Sequence, residues 1–165
     1  MMKKLMFLLS IVVLFSTTSC LIGDSSLSDS LAEIKGTLTV FNEDNSISYE
    51  AHNASIMVAI PNLVEPKLDI LFNGVKFAEA MPVQVNIKFG SIPFTFTASE
   101  DGKSSNYIFD TTNIIPTISG APRDEYMASR FYGCVGRYNT EIRFTIPYKD
   151  NKMVQFKANT NENKE

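Results

Sequence analysis

The chain has 165 residues, with 15 Lys and Arg against 18 Asp and Glu, twelve phenylalanines and no tryptophan. That length fits a single core domain, and its mild acidity, with no basic stripe, gives no reason to expect nucleic acid or an anionic membrane surface as partner. One histidine and two cysteines exclude the usual zinc-ligand spacings.

In chain order, the first feature is residues 1–19. Lys3 and Lys4 form a cationic head, residues 5–15 an apolar run, and residues 16–19 a small, weakly polar approach to Cys20. This is the pattern of a secretory signal. It is too short for a spanning helix, which needs about 20 apolar residues. The cysteine placed directly after it makes the segment resemble the lipobox of bacterial lipoproteins, with the small Ser19 before Cys20 and Thr17 where an aliphatic residue is usual. The resemblance implies that residues 1–19 are removed and that Cys20 is acylated, so that the protein is held to a membrane by its N-terminal lipid. Leu21 stands where an inner-membrane retention signal carries Asp, which implies the outer membrane. Asp24, in place of an acidic cluster, implies its periplasmic face rather than the cell surface. An ordinary signal peptide with Cys20 as a normal mature cysteine is the other reading, and a Cys20–Cys134 disulfide is then open. Removing residues 1–19 leaves 165 − 19 = 146 residues with a formal charge of 13 − 18 = −5.

Residues 20–32 are Ser- and Asp-rich after the cysteine and are expected to form a flexible tether. From about residue 33 a period-2 alternation begins and persists to residue 158. Ile34, Gly36, Leu38 and Val40 alternate with polar neighbours, Asn42 to Asn45 supply turn residues, and Ile47, Tyr49 and Ala51 resume the pattern. A break is expected at Asn53, then a strand carrying Ile56, Val58 and Ile60, then a loop over residues 61–66, where Pro61 and Pro66 cannot donate to a ladder. Leu68, Ile70 and Phe72 lead into Asn73-Gly74, which predicts a hairpin turn. A single helical turn is conceivable over residues 77–81. Val83, Val85, Ile87 and Phe89 form the clearest strand, and Gly90-Ser91 predicts a turn into Phe94, Phe96 and Ala98. Residues 99–103 read as another turn, and residues 106–110 as a short strand. A long connection spans residues 111–124, with a strand fragment at 114–118. Residues 126–135 are ambiguous between short helix and strand. A terminal hairpin follows, with Ile142, Phe144 and Ile146 against Val154, Phe156 and Ala158, and residues 159–165 form a polar tail.

Eight to ten short strands with turns every eight to twelve residues predict an all-β fold, either a single antiparallel barrel or, as the alternative, a two-sheet sandwich. Set on residues 35–40 (KGTLTV), the Asn73-Gly74 pair, the terminal strands of residues 140–158 and the lipobox, the chain is similar to small Bacteroides lipoproteins with a calycin-like (lipocalin-like) barrel. In place of the lipocalin Gly-x-Trp it has Gly36-Thr37-Leu38. The resemblance implies a barrel domain over residues 33–158 and a ligand cavity inside it.

Little in the sequence carries chemistry. His52 is expected in solvent beside a turn, and Cys134, in an apolar context, as a buried inert thiol. The pairs Glu43-Asp44 and Glu100-Asp101 fall in turns and lack the spaced oxygen ligands of a calcium loop. No cofactor, metal or catalytic constellation is expected. Asp29-Ser30-Leu31 and Asp110-Thr111-Thr112 match a short O-glycosylation pattern of Bacteroides proteins, which makes Ser30 and Thr111 candidate modification sites. An eight-stranded barrel is either just filled by its side chains or holds one small ligand. Phe72, Phe89, Phe94, Phe96, Phe144 and Phe156 are expected to line or fill that space. Two functions follow as expectations: a lipid-anchored binder of a small apolar or amphipathic ligand, or a filled structural module that docks another envelope protein.

Overall fold

The computed structural model describes residues 32–62, 64–98, 105–148 and 150–159. The signal, Cys20, Ser30, the turn with Glu100-Asp101 and the tail after Asn159 lie outside the described residues. The strands are β1 (Ala32–Phe41), β2 (Ile47–Asn62), β3 (Lys67–Val75), β4 (Val85–Pro93), β5 (Thr95–Ala98), β6 (Ser105–Ile114), β7 (Thr117–Ile118), β8 (Ala121–Pro122), β9 (Ala128–Gly136), β10 (Asn139–Tyr148) and β11 (Asp150–Asn159), with a 3-10 turn at Asp124–Tyr126.

The fold is all-β. A single antiparallel sheet in the order β5-β6-β9-β10-β11-β1-β2-β3-β4-β7-β8 curls into a half-barrel, the barrel-like architecture expected from the alternation. The alternation follows from burial of one face: Leu68, Ile70 and Phe72 of β3 are sealed while Lys67, Asp69 and Leu71 between them are only partly covered. The last strand, β11, pairs with the first, β1. The two flanks, β4 and β6, also approach each other, with Cα atoms within 8 Å. After Pro93 the chain bends at Phe94 and continues as β5, which leaves β3 and pairs with β6. Counting β4 and β5 as one bent strand, eight strands surround the core.

The core is aromatic. Phe72 of β3 meets Phe144 of β10 with ring centroids 5.3 Å apart, straight across the barrel. Phe89 of β4 lies 5.0 Å from Phe144 and 4.5 Å from Phe131 of β9, Phe156 of β11 is 6.2 Å from Phe72, and Phe109 of β6 stacks 5.5 Å from Phe131. Six strands thus send rings to one centre, in the edge-on and offset arrangements that suit ring quadrupoles. Of the rings expected inside, Phe72, Phe89, Phe144 and Phe156 are buried, Phe94 is half-buried and Phe96 is 53% exposed. Phe77, Phe109 and Phe131 complete the set.

Several expected turns are bulges instead. Asn73-Gly74 does not reverse the chain. Gly74 takes φ +56° inside β3, its N–H donates to Asn86 Oδ1 at 2.7 Å, and the ladder to β4 shifts register between Phe72 and Val75. A return strand over residues 75–77 offers three residues, whereas Val85–Pro93 offers nine with matching alternation, so the longer ladder wins. Gly90-Ser91 is likewise a bulge within β4: Ser91 has φ 57° and donates its N–H to Asp69 Oδ1 at 2.8 Å, while Lys88 Nζ holds Oδ2 of the same carboxylate at 2.7 Å. The expected break at Asn53 is a register shift within the continuous 16-residue β2, and Pro61 sits where that strand's pairing with β3 is irregular. Residues 77–81 form turns with no helix. In the ambiguous stretch, the 3-10 turn comes first and β9 follows.

Close packing fixes two glycines strictly, Gly36 of β1 against the Lys157 carbonyl and Gly133 of β9. A Cβ on Gly133 would strike the Glu141 carbonyl oxygen, whereas one on Gly90 meets nothing nearer than Asp69 Oδ1 at 3.4 Å. Gly133→Ala is therefore expected to lower stability by more than about 1 kcal/mol, with Gly90→Ala nearly neutral. Phe144→Ala, which removes the ring shared by most of the cluster, should cost about 3–5 kcal/mol. Urea unfolding of the three variants measures these differences.

Candidate functional site

The two ends of the barrel differ. The β1–β2 turn, residues 76–84 between β3 and β4, the β7–β8 insertion with its 3-10 turn, and the β10–β11 turn lie at one end, here the far end. The start of β1, the β2–β3 turn, β5, the β9–β10 turn and the end of β11 lie at the other, the near end.

Two concavities open at the far end, on either side of residues 76–84. Past the bulge in β2, Tyr49 and Ala51 stay paired with Val40 and Leu38 of β1, while β3 stops at Val75. The gap left between β2 and β3 is a cleft of about 420 Å³. Leu38, Ala51, Ala54 and Val75 give it an apolar floor, and Asn53, Asn73, Lys76 and Gln84 a polar rim. The second hollow, about 250 Å³, is lined by Phe77, Met81, Val85, Ile87 and Ile118 and bordered by Arg123, Glu125 and Tyr126. Phe77 is placed by its N–H, which donates to Met81 Sδ at 3.2 Å, and its ring meets Phe144 at 6.4 Å. Residues 76–84 therefore plug the barrel mouth and leave shallow recesses beside the plug. Arg123 and Glu125 face each other at 3.5 Å.

The outer wall carries a polar band that follows the ladder register. Glu50, Thr39, Gln155, Arg143, Tyr132 and Asp110 are successive cross-strand partners on β2, β1, β11, β10, β9 and β6. Gln155, only 8% exposed although it faces outward, donates to Glu141 Oε1 at 2.7 Å. Arg143 donates to the same oxygen from Nε at 2.8 Å and also hydrogen-bonds Tyr132. Arg130 covers the Tyr132 ring at 4.4 Å and grips Asp110 through two hydrogen bonds of 3.0 and 2.6 Å. That grip holds the Asp110 carboxyl below its ordinary range. Asp44 is likewise lowered, by the Ser46 hydroxyl and N–H that donate to it in the β1–β2 turn. For Glu141, partial burial pushes its pKa upward, but hydrogen bonds from Arg143 and Gln155, with the charges of Arg143 and Lys157, outweigh it and leave the carboxyl lowered.

The residues singled out from sequence are dispersed. His52 lies within β2, 75% exposed, with Nε2 3.3 Å from Glu50. Cys134 is not buried: it is half-exposed on β9, opposite Glu141 and Ile108. Tyr132 and Cys134 face outward because Phe131 and Val135 of the same strand point into the core. Four strand spacings separate β2 from β9 around the sheet, about 19 Å, so His52 and Cys134 form no pair. Thr111 sits half-buried in β6 opposite Phe131. Among the described residues no group of three or more His, Cys, Asp or Glu is placed to hold a metal ion. The polar band and the far-end recesses were not foreseen. The first needs the register of six strands, and the second the bulges that shift it.

Compared with protein-family models, curated proteins and solved structures, the chain matches none.

Glu141 gives the band a pH signature. A carboxyl whose folded pKa lies below its ordinary value near 4.5 contributes stability that is fully present above the unfolded value and is lost as pH falls through the folded one. Glu141→Gln should remove about 0.5–1 kcal/mol at neutral pH and flatten the decline between pH 5 and 3 relative to the native chain. Thermal unfolding across that range reads both effects.

Proposed function

We propose that the protein is a lipid-anchored, non-catalytic lipoprotein of the bacterial envelope that acts by docking to another envelope component, with its filled barrel as a scaffold. The observation that carries this reading is the ring cluster: Phe72 and Phe144 touch across the barrel at 5.3 Å, where a hollow carrier would hold its ligand. The anchor rests on the cationic head, apolar run and Cys20 of the N-terminal segment. Leu21 and the single Asp24 favour the periplasmic face of the outer membrane. On this reading the recognition surfaces are the polar band and the recessed far end.

A second reading keeps a small amphipathic ligand but moves it from the barrel centre to the 250 Å³ hollow, where Phe77, Met81, Val85, Ile87 and Ile118 supply apolar walls and Arg123 a cationic rim.

Two measurements test these readings. Native protein should sediment with membranes until detergent is added, because three acyl chains anchor durably where one does not. Cys20→Ala should move it to the soluble fraction, and native protein found there would defeat the anchor. Native mass spectrometry of the detergent-extracted protein should give the mass of the acylated chain alone. A retained ligand that is lost in Met81→Trp, which fills the hollow, would favour the second reading.

A further inference from the structure

We propose that the near end of the barrel is a membrane-seating surface whose apolar tips rest in the lipid headgroup layer, so that the recessed far end faces away from the bilayer. The inference rests on acylation of Cys20 as proposed above.

Three observations converge on this end. The chain enters the sheet there: Ala32 opens β1 and pairs with Val58 near the end of β2. Eleven residues, 21–31, separate Ala32 from Cys20, a span of at most about 40 Å even fully extended. The ten residues of β1, tilted as barrel strands are, put the far end about 25 Å beyond Ala32. The far end could meet the bilayer only if the connecting residues ran back along the barrel wall.

Both ends expose apolar side chains, with Ile47, Val83, Ile115 and Met127 at the far one, but among the described residues the exposed aromatic rings fall at the near end. Val64, in the β2–β3 turn, is 89% exposed, Phe96 of β5 53%, and Tyr138, in the β9–β10 turn, 41%. Val64 and Phe96 flank a continuous structure. The Phe94 N–H donates to the Pro66 carbonyl at 3.0 Å, and the Phe94 and Phe96 rings pack on Tyr107 at 5.0 and 5.7 Å. Aromatic side chains with an apolar body and a polar tip are favoured at membrane interfaces. Tyr138 has that form and lies under the Arg137 guanidinium at 5.5 Å.

Charge divides the same way. Among the described residues, the strand ends and turns of the near end carry Lys35, Lys67, Arg137 and Lys157 balanced by Glu33, Glu65, Asp69 and Glu141. Those of the far end carry Glu43, Asp44, Glu50, Glu79, Asp124, Glu125 and Asp150 against Lys76, Lys88, Arg123, Arg130 and Lys152, an excess of two acidic groups. An anionic lipid surface repels the far end and tolerates the near one.

The absence of native tryptophan makes the test direct. Full-length chains carrying Phe96→Trp or, at the far end, Val83→Trp are extracted from membranes and reconstituted into vesicles of dibrominated phosphatidylcholine with phosphatidylglycerol. The mass of each chain reports acylation of Cys20. Phe96→Trp should lose most of its emission relative to unbrominated vesicles and shift to the blue, and Val83→Trp should do neither. An acylated chain with unquenched Phe96→Trp assigns the apolar tips to a protein partner, overturning the seating while the anchor stands. Quenching of Val83→Trp overturns the orientation. An unmodified Cys20 overturns the anchor and the seating with it.

Discussion

The Phe72–Phe144 contact is the interaction on which the rest of this structure depends. Two strands on opposite sides of the barrel, β3 and β10, bring rings to 5.3 Å because the curled wall is narrow enough for side chains alone to fill it, as eight strands allow. Closure then has a local consequence. β4 must leave β3 and cross to β6, which it does at Phe94 after Pro93, a residue with no N–H to forfeit. β9 passes β10 so closely that Gly133 has no room for a Cβ beside the Glu141 carbonyl. A wider barrel would leave a hollow, while the Gly133 contact, set by the β9–β10 ladder, would remain. The phenylalanines make the tight one stable, because each buried ring contributes both apolar area and a preferred geometry with its neighbours.

The inward faces were legible because a half-buried strand writes its burial as a two-residue period, and β3, β4, β10 and β11 do so with little interruption. What the sequence could not express was whether a residue with positive φ reverses the chain. Gly74 and Ser91 both adopt left-handed backbone, and Asn73-Gly74 and Gly90-Ser91 are locally indistinguishable from hairpin turns. The outcome depends on which partner strand offers the longer ladder, a non-local quantity. Once β4 supplies nine residues to β3, a turn becomes a bulge, twisting the strand without ending it. The same misreading hid the far-end cleft, which exists because the bulge in β2 lets that strand follow β1 after β3 has stopped. Cys134 was misjudged for a related reason. Its neighbours are apolar, but in a strand alternate neighbours face opposite ways, so an apolar context does not place a side chain inside.

The outer wall follows a different logic from the core. Gln155 is as hidden as a core residue yet lies on the solvent side, roofed by the side chains it bonds. Its amide, the Glu141 carboxylate and the Arg143 guanidinium satisfy one another, and no buried side-chain polar atom among the described residues lacks a partner. A pair in water contributes little, but a network whose members share partners loses less entropy per bond. The band therefore pins the register of the strands from outside while the rings pin it from inside. Because a slip of one residue would exchange the two faces, the agreement of both patterns leaves a single register.

These constraints bear on what such a domain can be used for. A barrel that spends its interior on phenylalanine gives up the property for which hollow barrels are valued, enclosure of a ligand, and retains a rigid wall with two unlike ends. Rigid walls transmit orientation: whatever is fixed at one end determines where the other points. In this chain the entry strand, the exposed aromatic tips and the near-neutral charge fall at one end, and the recesses and acidic turns at the other. Among the described residues the net acidity falls at the far end, where it does not oppose seating. An anchor at Cys20, together with seating of the near end, would convert that asymmetry into presentation, turning the far end away from the bilayer. The tether itself sets only a distance; any fixed attitude would come from the seating surface, and the ring-packed core would carry that attitude through to the far end.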